Sequence, residues 1–154
     1  MKEFLQKAKQ SSRVVATLST AIKNKTLLEF ADAIEENSFF IIEENIKDMK
    51  LARELDLSSA MQDRLYLNDS RIQDMANAIR QIASQTEPVG RILDGWLTKD
   101  NLNIQKVSIP IGVIAIIYES RPNVTSDTAA LCFKSGNVCV LKGGKEAENS
   151  NRAI

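Results

Sequence analysis

Apolar residues recur every three or four positions through the first ninety residues of the chain. The clearest series is Ile72, Met75, Ala76, Ile79 and Ile82. Because this spacing matches the turn of an α-helix, it places the apolar side chains on one face. The runs follow short polar residues that can cap a helix N-terminus, at Ser19 or Thr20, Ser38, Ser58 and Asp69. The pattern predicts four or five amphipathic helices before Pro88.

The pattern changes after residue 90. Two short alternating runs, 92–96 and 102–108, flank a polar stretch and predict a β-hairpin. Beyond it, 112–118 and 138–141 are rich in Ile, Val and Leu, 124–134 has helical spacing, and Gly136 is expected just past the helix end. Apolar strands joined by a helix predict a parallel α/β sheet. Since two strands do not complete such a sheet, we expect an unfinished unit.

Composition narrows the classes of function. Lys plus Arg and Asp plus Glu both total 20, so no net charge attracts nucleic acid or an anionic membrane. No apolar run is long enough to cross a bilayer, and the first residues lack the apolar core of a secretory signal. We therefore expect a cytoplasmic protein that binds neither nucleic acid nor membrane.

The side chains available for chemistry are few. The chain has no histidine, and its two cysteines, Cys132 and Cys139, are seven positions apart. This excludes a zinc site and any Ser-His or Cys-His machinery within these residues, so we predict no metal. Both cysteines are interpreted as small buried apolar side chains.

Polar clusters follow both predicted parallel strands, at 119–123 and 142–146. In open parallel sheets, ligands bind beyond the carboxyl ends of the strands. The first cluster can equally be a solvated loop in which Pro122 sets the turn and Asn123 or Thr125 caps the next helix. In the second, paired glycines permit close approach of a ligand. It is neither a P-loop nor a G-x-G-x-x-G motif, so an exposed turn is the alternative.

The segments LSSAMQDRLYLNDSRIQDMANAIRQIASQTEPVGRILDGW and PIGVIAIIYESRPNVTSDTAALCFKSGNVCVLKGG resemble the gamma-glutamyl phosphate reductase family of the aldehyde dehydrogenase superfamily. The resemblance implies an α/β fold of that type. Residues 1–91 would be a helical part of the cofactor domain, 92–108 a hairpin in the oligomerisation region, and 109–154 the first strand, helix and strand of a Rossmann-like NADPH-binding domain. Family members are well over twice as long, with the nucleophilic cysteine beyond Ile154, so the chain resembles an N-terminal fragment.

The resemblance also implies an activity. The family reduces L-glutamyl 5-phosphate to L-glutamate 5-semialdehyde with NADPH, releasing phosphate, in proline biosynthesis. It implies a homo-oligomer and makes glutamate 5-kinase a candidate partner. A non-catalytic nucleotide-binding or assembly module is the alternative.

Site residues follow from the same resemblance. Asn123 is the candidate donor to the oxyanion, and Arg121 is expected to bind the substrate phosphate or carboxylate. Lys142 is expected at the adenine ribose, and Lys145 is expected at a 2′-phosphate. The residues expected around the cofactor are Tyr118, Glu119, Ser120, Lys142, Gly143, Gly144 and Lys145.

Overall fold

The computed structural model describes residues 2–154. Five helices come first: α1 (Lys2–Val15), α2 (Thr20–Glu36), α3 (Ser38–Glu54), α4 (Ser59–Leu65) and α5 (Asp69–Ser84). A hairpin of β1 (Ile92–Leu97) and β2 (Asn103–Val107) follows. The chain continues through β3 (Val113–Ile117), α6 (Pro122–Lys134), β4 (Val138–Lys142), a 3-10 turn (Lys145–Ala147) and α7 (Glu148–Ala153). The predicted order of helices, hairpin and strand-helix-strand is confirmed.

The core lies between α2, α5 and α6. The predicted apolar face of α5 is buried, and Ile72 and Ile79 are at most 1% exposed. These residues pack with Leu27 of α2 and Ala130 of α6 in one apolar cluster. Burying a side chain of this size contributes about 1.5–3 kcal/mol. The amphipathic pattern of the sequence is thus what attaches the helical part to the crossover helix α6.

Helix starts agree with the sequence at two positions and differ at two. Ser19 and Ser58 accept hydrogen bonds from the third following backbone N–H group, as predicted. Ser38 and Asp69 were expected to cap but are the first helical residues, because Asn37 and Asn68 precede them at the cap positions. The Asn68 side chain accepts from the Arg71 N–H at 2.9 Å, so its amide takes the role predicted for the neighbouring acid.

Two small sheets follow the helices. β1 and β2 pair antiparallel, and both strands are exposed along their whole length, Trp96 to 51% and Leu97 to 70%. β3 and β4 pair in parallel, with Val113 opposite Val138 and Ile117 opposite Lys142. This register brings the carboxyl ends of both parallel strands to one edge. Within residues 2–154, no helix combines the length and apolar character required to cross a membrane.

Gly136 connects α6 to β4 in the left-handed backbone region, with φ +74°. A Cβ there would lie 2.8 Å from Pro110 Cγ. We expect Gly136→Ala to lower the free energy of unfolding by about 2–3 kcal/mol, because backbone strain adds to overpacking. Gly90→Ala is the control, since Gly90 has φ +81° but open space around its Cβ position, and should cost about 1 kcal/mol. Equal losses in chemical denaturation would contradict a role for the Pro110 contact.

Candidate functional site

A cleft of about 400 Å³ opens at the carboxyl ends of β3 and β4. The backbone N–H of Tyr118 donates to the Lys142 carbonyl at 3.1 Å, so the two strand ends are held side by side. We call this cavity the lysine cleft; its lining is Tyr118, Thr125, Leu141, Lys142, Gly143, Gly144, Lys145, Glu148, Asn151 and Arg152. Five of the seven residues predicted around the cofactor therefore meet in one place.

Hydroxyl and amide groups fix the wall of the lysine cleft. The Thr125 hydroxyl accepts from the Tyr118 hydroxyl at 2.6 Å and donates to Asn151 Oδ1 at 2.9 Å. Gly143 lies so close to the Asn151 amide that a Cβ would clash with it. The strand end, α6 and α7 are thus connected, and the glycine permits their close approach.

The two lysines of the cleft are available to an anion. Lys142 and Lys145 are both exposed. Neither takes part in the ion pairs found within residues 2–154. Two ammonium groups without an ion-pair partner in the described chain, beside a close-packed glycine loop, suit a phosphate-bearing ligand.

Two predicted cofactor residues lie outside the lysine cleft. Ser120 is buried, and its hydroxyl donates to Glu146 Oε1 at 2.7 Å. Glu119 is exposed at the strand end. Ser120 therefore connects the loop after β3 to the loop after β4, which is a positioning contact.

Arg121 and Asn123 face a second cavity of about 350 Å³ on the other side of the first turn of α6. We call it the arginine cleft; its lining is Asp63, Arg64, Tyr66, Leu67, Arg71, Asp74, Met75, Ala78, Arg121, Asn123 and Asp127. Arg121 is exposed and forms no ion pair with the described part of the chain. The single loop that the sequence suggested therefore serves two separate cavities.

The start of α6 differs from the cap that the sequence offered. Pro122 is in the first helical turn, where its missing N–H costs nothing, and Arg121 is at the cap position without a side-chain capping bond. Capping by Asn123 or Thr125 is therefore wrong. The Asn123 amide instead donates to Asp127 Oδ2 at 3.1 Å, one turn along the helix.

Asp127 lines the arginine cleft from α6. Its Oδ1 is buried and has no hydrogen-bond partner among the described residues. Burial raises the pKa of this carboxyl, and the hydrogen bond from Asn123 only partly opposes the rise. A buried oxygen without a donor marks a place where a bound group could supply one.

Sequence reasoning missed the far wall of the arginine cleft. Arg64, Arg71 and Asp74 come from α4 and α5, and acidic and basic residues alternate there in a manner typical of a solvated helix surface. Arg71 donates to Asp63 Oδ1 at 2.7 Å and to the Tyr66 carbonyl at 2.8 Å. These hydrogen bonds fix the α4–α5 junction. No local sequence pattern predicts that this junction faces α6.

Helix α3 makes buried hydrogen bonds to residues beside both clefts. Asp48 is completely buried and accepts from the Ser150 N–H at 2.7 Å and hydroxyl at 2.6 Å. It also accepts from the backbone N–H and side-chain amide of Asn149. Asn45 donates to the Leu65 carbonyl at 2.8 Å and to the Ser150 hydroxyl. A single helix thus fixes α7 beside the lysine cleft and the end of α4 beside the arginine cleft.

Neither cysteine is placed for nucleophilic chemistry. Cys132 is buried and Cys139 is half-buried, and both are free thiols. Burial raises the pKa of each thiol, which keeps the unreactive protonated form. Across residues 2–154, no three His, Cys, Asp or Glu side chains gather as metal ligands.

Known proteins resemble the chain over nearly its whole length, although no family model matches it. It is 71% identical over 154 residues to a gamma-glutamyl phosphate reductase of Aliarcobacter butzleri and spans 37% of that relative. Its structure matches that of gamma-glutamyl phosphate reductase from Thermotoga maritima with a TM-score of 0.93 at 42% identity. The Saccharomyces cerevisiae enzyme gives 0.90 at 33%. These matches cover 96% of this chain and 36% and 38% of the two solved chains.

The helical layer, the hairpin and the strand-helix-strand unit with clefts at its strand ends are the N-terminal part of an aldehyde dehydrogenase-like fold. Relatives and solved structures agree on one member of that class. The chain corresponds to the N-terminal portion of the gamma-glutamyl phosphate reductase family, which confirms the resemblance of its sequence.

Proposed function

We propose that the full-length protein carrying this chain reduces L-glutamyl 5-phosphate to L-glutamate 5-semialdehyde with NADPH and releases phosphate, as a cytoplasmic step of proline biosynthesis. The observation that carries the proposal is the convergence of Tyr118, Lys142 and Lys145 in one cleft at the strand ends. The chain in which they converge is 71% identical to a gamma-glutamyl phosphate reductase. In this chemistry a cysteine thiolate attacks the acyl phosphate. We assign that cysteine to the full-length protein beyond Ile154.

The lysine cleft fits an NADPH phosphate and ribose. Its two exposed lysines carry no carboxylate partner among the described residues, and the Gly143 backbone approaches Asn151 where a side chain would clash. We assign Lys142 to the adenine ribose and Lys145 to the 2′-phosphate that distinguishes NADPH from NADH. Glu119, Ser120 and Gly144 shape the loops of this site. The bound cofactor would supply the hydride.

The arginine cleft fits the acyl phosphate substrate. Arg121 lines this cleft and forms no ion pair within residues 2–154, so its guanidinium is offered to the phosphate or carboxylate. One N–H of the Asn123 side-chain amide donates to Asp127 Oδ2. We assign its second N–H to the oxyanion that forms when the thiolate attacks the acyl phosphate. A donor of this kind is worth roughly 3–4 kcal/mol of barrier.

The hairpin is proposed as an oligomerisation arm. Its two strands expose apolar side chains, including Ile92, Trp96 and Leu97. Large apolar side chains exposed together on one hairpin suit a protein interface. We therefore propose a homo-oligomer, with glutamate 5-kinase as a further candidate partner.

Lys145→Ala in the full-length enzyme should raise the KM for NADPH about tenfold, which is the loss of one charge-assisted contact. The KM for NADH should stay unchanged, because NADH has no 2′-phosphate. Lys9→Ala is the control, since Lys9 is an exposed lysine of α1 outside both clefts. Steady-state kinetics with the two cofactors check the prediction. An equal change in KM for NADPH and for NADH would show that Lys145 does not bind the 2′-phosphate. An unmutated enzyme without activity would overturn the proposed function.

A further inference from the structure

The arginine cleft is lined by both basic and acidic side chains, and only some of them form ion pairs with each other. Arg71 is paired with Asp63. Within the described residues, Arg64, Arg121, Asp74 and Asp127 have no oppositely charged partner at ion-pair distance. A cavity with two free guanidinium groups and two free carboxylates is complementary to a small ligand that itself carries both signs.

The two free carboxylates of the arginine cleft are not equivalent. Asp74 is exposed, so water solvates it. Asp127 is half-buried and has one oxygen that is shielded from solvent without a donor, which is unfavourable until a bound group supplies one. The Asn123 amide holds the other oxygen at 3.1 Å and so fixes the direction of the carboxylate. Burial also raises the pKa of Asp127, and a cation bound beside it would oppose that rise.

We propose that Asp127 binds the α-ammonium group of the substrate and thereby selects the amino-bearing acyl chain. This inference rests on the proposed function. An ammonium group has three donors and no acceptor, which suits a buried carboxylate oxygen beside a fixed amide. Arg64 and Arg121 then remain for the carboxylate and phosphate of the same molecule. Asn123 and Asp127 lie one helical turn apart, so both face the cleft from α6.

The test compares two aldehydes that differ only in the amino group. The full-length enzyme is assayed in the oxidative direction, with NADP⁺ and inorganic phosphate, on L-glutamate 5-semialdehyde and on 5-oxopentanoate. The unmutated enzyme should prefer the amino-bearing aldehyde in kcat/KM by about 10- to 100-fold, the range for one hydrogen bond to a charged group. Asp127→Asn, which keeps the side-chain shape, should reduce the preference to within about threefold.

The preference is a ratio, so a lower fraction of folded enzyme cancels and a merely structural role of Asp127 would not change it. Asp74→Asn is the matched control, because it removes the other free carboxylate of the same cleft and should keep the preference. An Asp127→Asn enzyme that loses activity on both aldehydes by the same factor would overturn the inference and leave the proposed function standing. An unmutated enzyme without turnover of either aldehyde would overturn both.

Discussion

Asp48→Ala is expected to lower the free energy of unfolding by about 3–5 kcal/mol. The completely buried carboxylate accepts four hydrogen bonds from Asn149 and Ser150, and Ser150 is itself buried. Alanine would leave these donors without an acceptor, and each buried donor so left costs about 1–3 kcal/mol. Alanine favours helix, so the loss cannot be assigned to α3 itself. Chemical denaturation of the full-length protein and its variants measures the difference.

Two further variants distinguish the effect of losing the buried hydrogen bonds of Asp48 from the effect of losing any acidic residue of α3. Glu43→Ala removes an exposed acid of the same helix that forms no ion pair among the described residues, and should change stability by less than about 0.5 kcal/mol. Asp48→Asn keeps one acceptor oxygen but turns an amide N–H toward other donors, so its stability should fall between the two. An Asp48→Ala protein as stable as Glu43→Ala would show that α7 is held by other contacts.

Local periodicity made most of the fold predictable. The face of α5 and the strand-helix-strand unit follow from the spacing of apolar residues, and Gly136 follows from the end of the helical pattern. The helix caps at Asn37 and Asn68 were displaced by one residue. At Asn68 the side-chain oxygen accepts the Arg71 N–H and takes the cap position. Asn37 makes no side-chain capping bond, and its amide donates back to the Ala33 carbonyl of α2. Helix boundaries set by backbone geometry in this way move by a residue.

The candidate site was only half predictable. Polar clusters at two strand ends indicate a ligand, but their sequence does not show that the first turn of α6 divides them between two clefts. Buried polar residues inside amphipathic helices were also missed. Lys23, Asp48 and Lys134 lie four residues from buried apolar residues of their own helices and so share the buried face, but a charged side chain by itself predicts exposure to solvent. Their partners are up to 111 residues away. Only the tertiary structure reveals such pairs.

Glu87→Gln should have the second large effect, because Glu87 is the carboxylate of a buried cluster with two lysines. Lys23 and Lys134 are each only 2% exposed. The Lys23 ammonium donates to Glu87 and to the Lys134 carbonyl, and the Lys134 ammonium donates to Asn24 and to the Ala83 carbonyl. Burial lowers the pKa of Lys134, and Glu87 partly opposes the fall. Removing the negative charge leaves two buried cations without an anion, at a cost of about 3 kcal/mol.

The effect of Glu87→Gln should depend on pH in a direction that follows from the pKa of Glu87. Burial alone would raise this pKa, but hydrogen bonds from the Lys23 ammonium and the Val89 N–H outweigh it and hold the pKa below its ordinary 4.5. A lowered pKa in the folded state contributes stability above the unfolded pKa and loses it as pH falls through the folded value. The stability gap between the unmutated and Glu87→Gln proteins should therefore be full at pH 7 and narrow below about pH 4.5.

Denaturation curves from neutral to acidic pH measure this gap, with Glu29→Gln as the matched control. Glu29 is an exposed glutamate 3.7 Å from Lys25, and such a surface pair contributes only about 0–1 kcal/mol. Other carboxylates titrate in both proteins and cancel from the difference, so the narrowing reports Glu87 alone. A gap for Glu87→Gln as small as that for Glu29→Gln, or one that widens on acidification, would mean that the two buried lysines do not depend on this carboxylate.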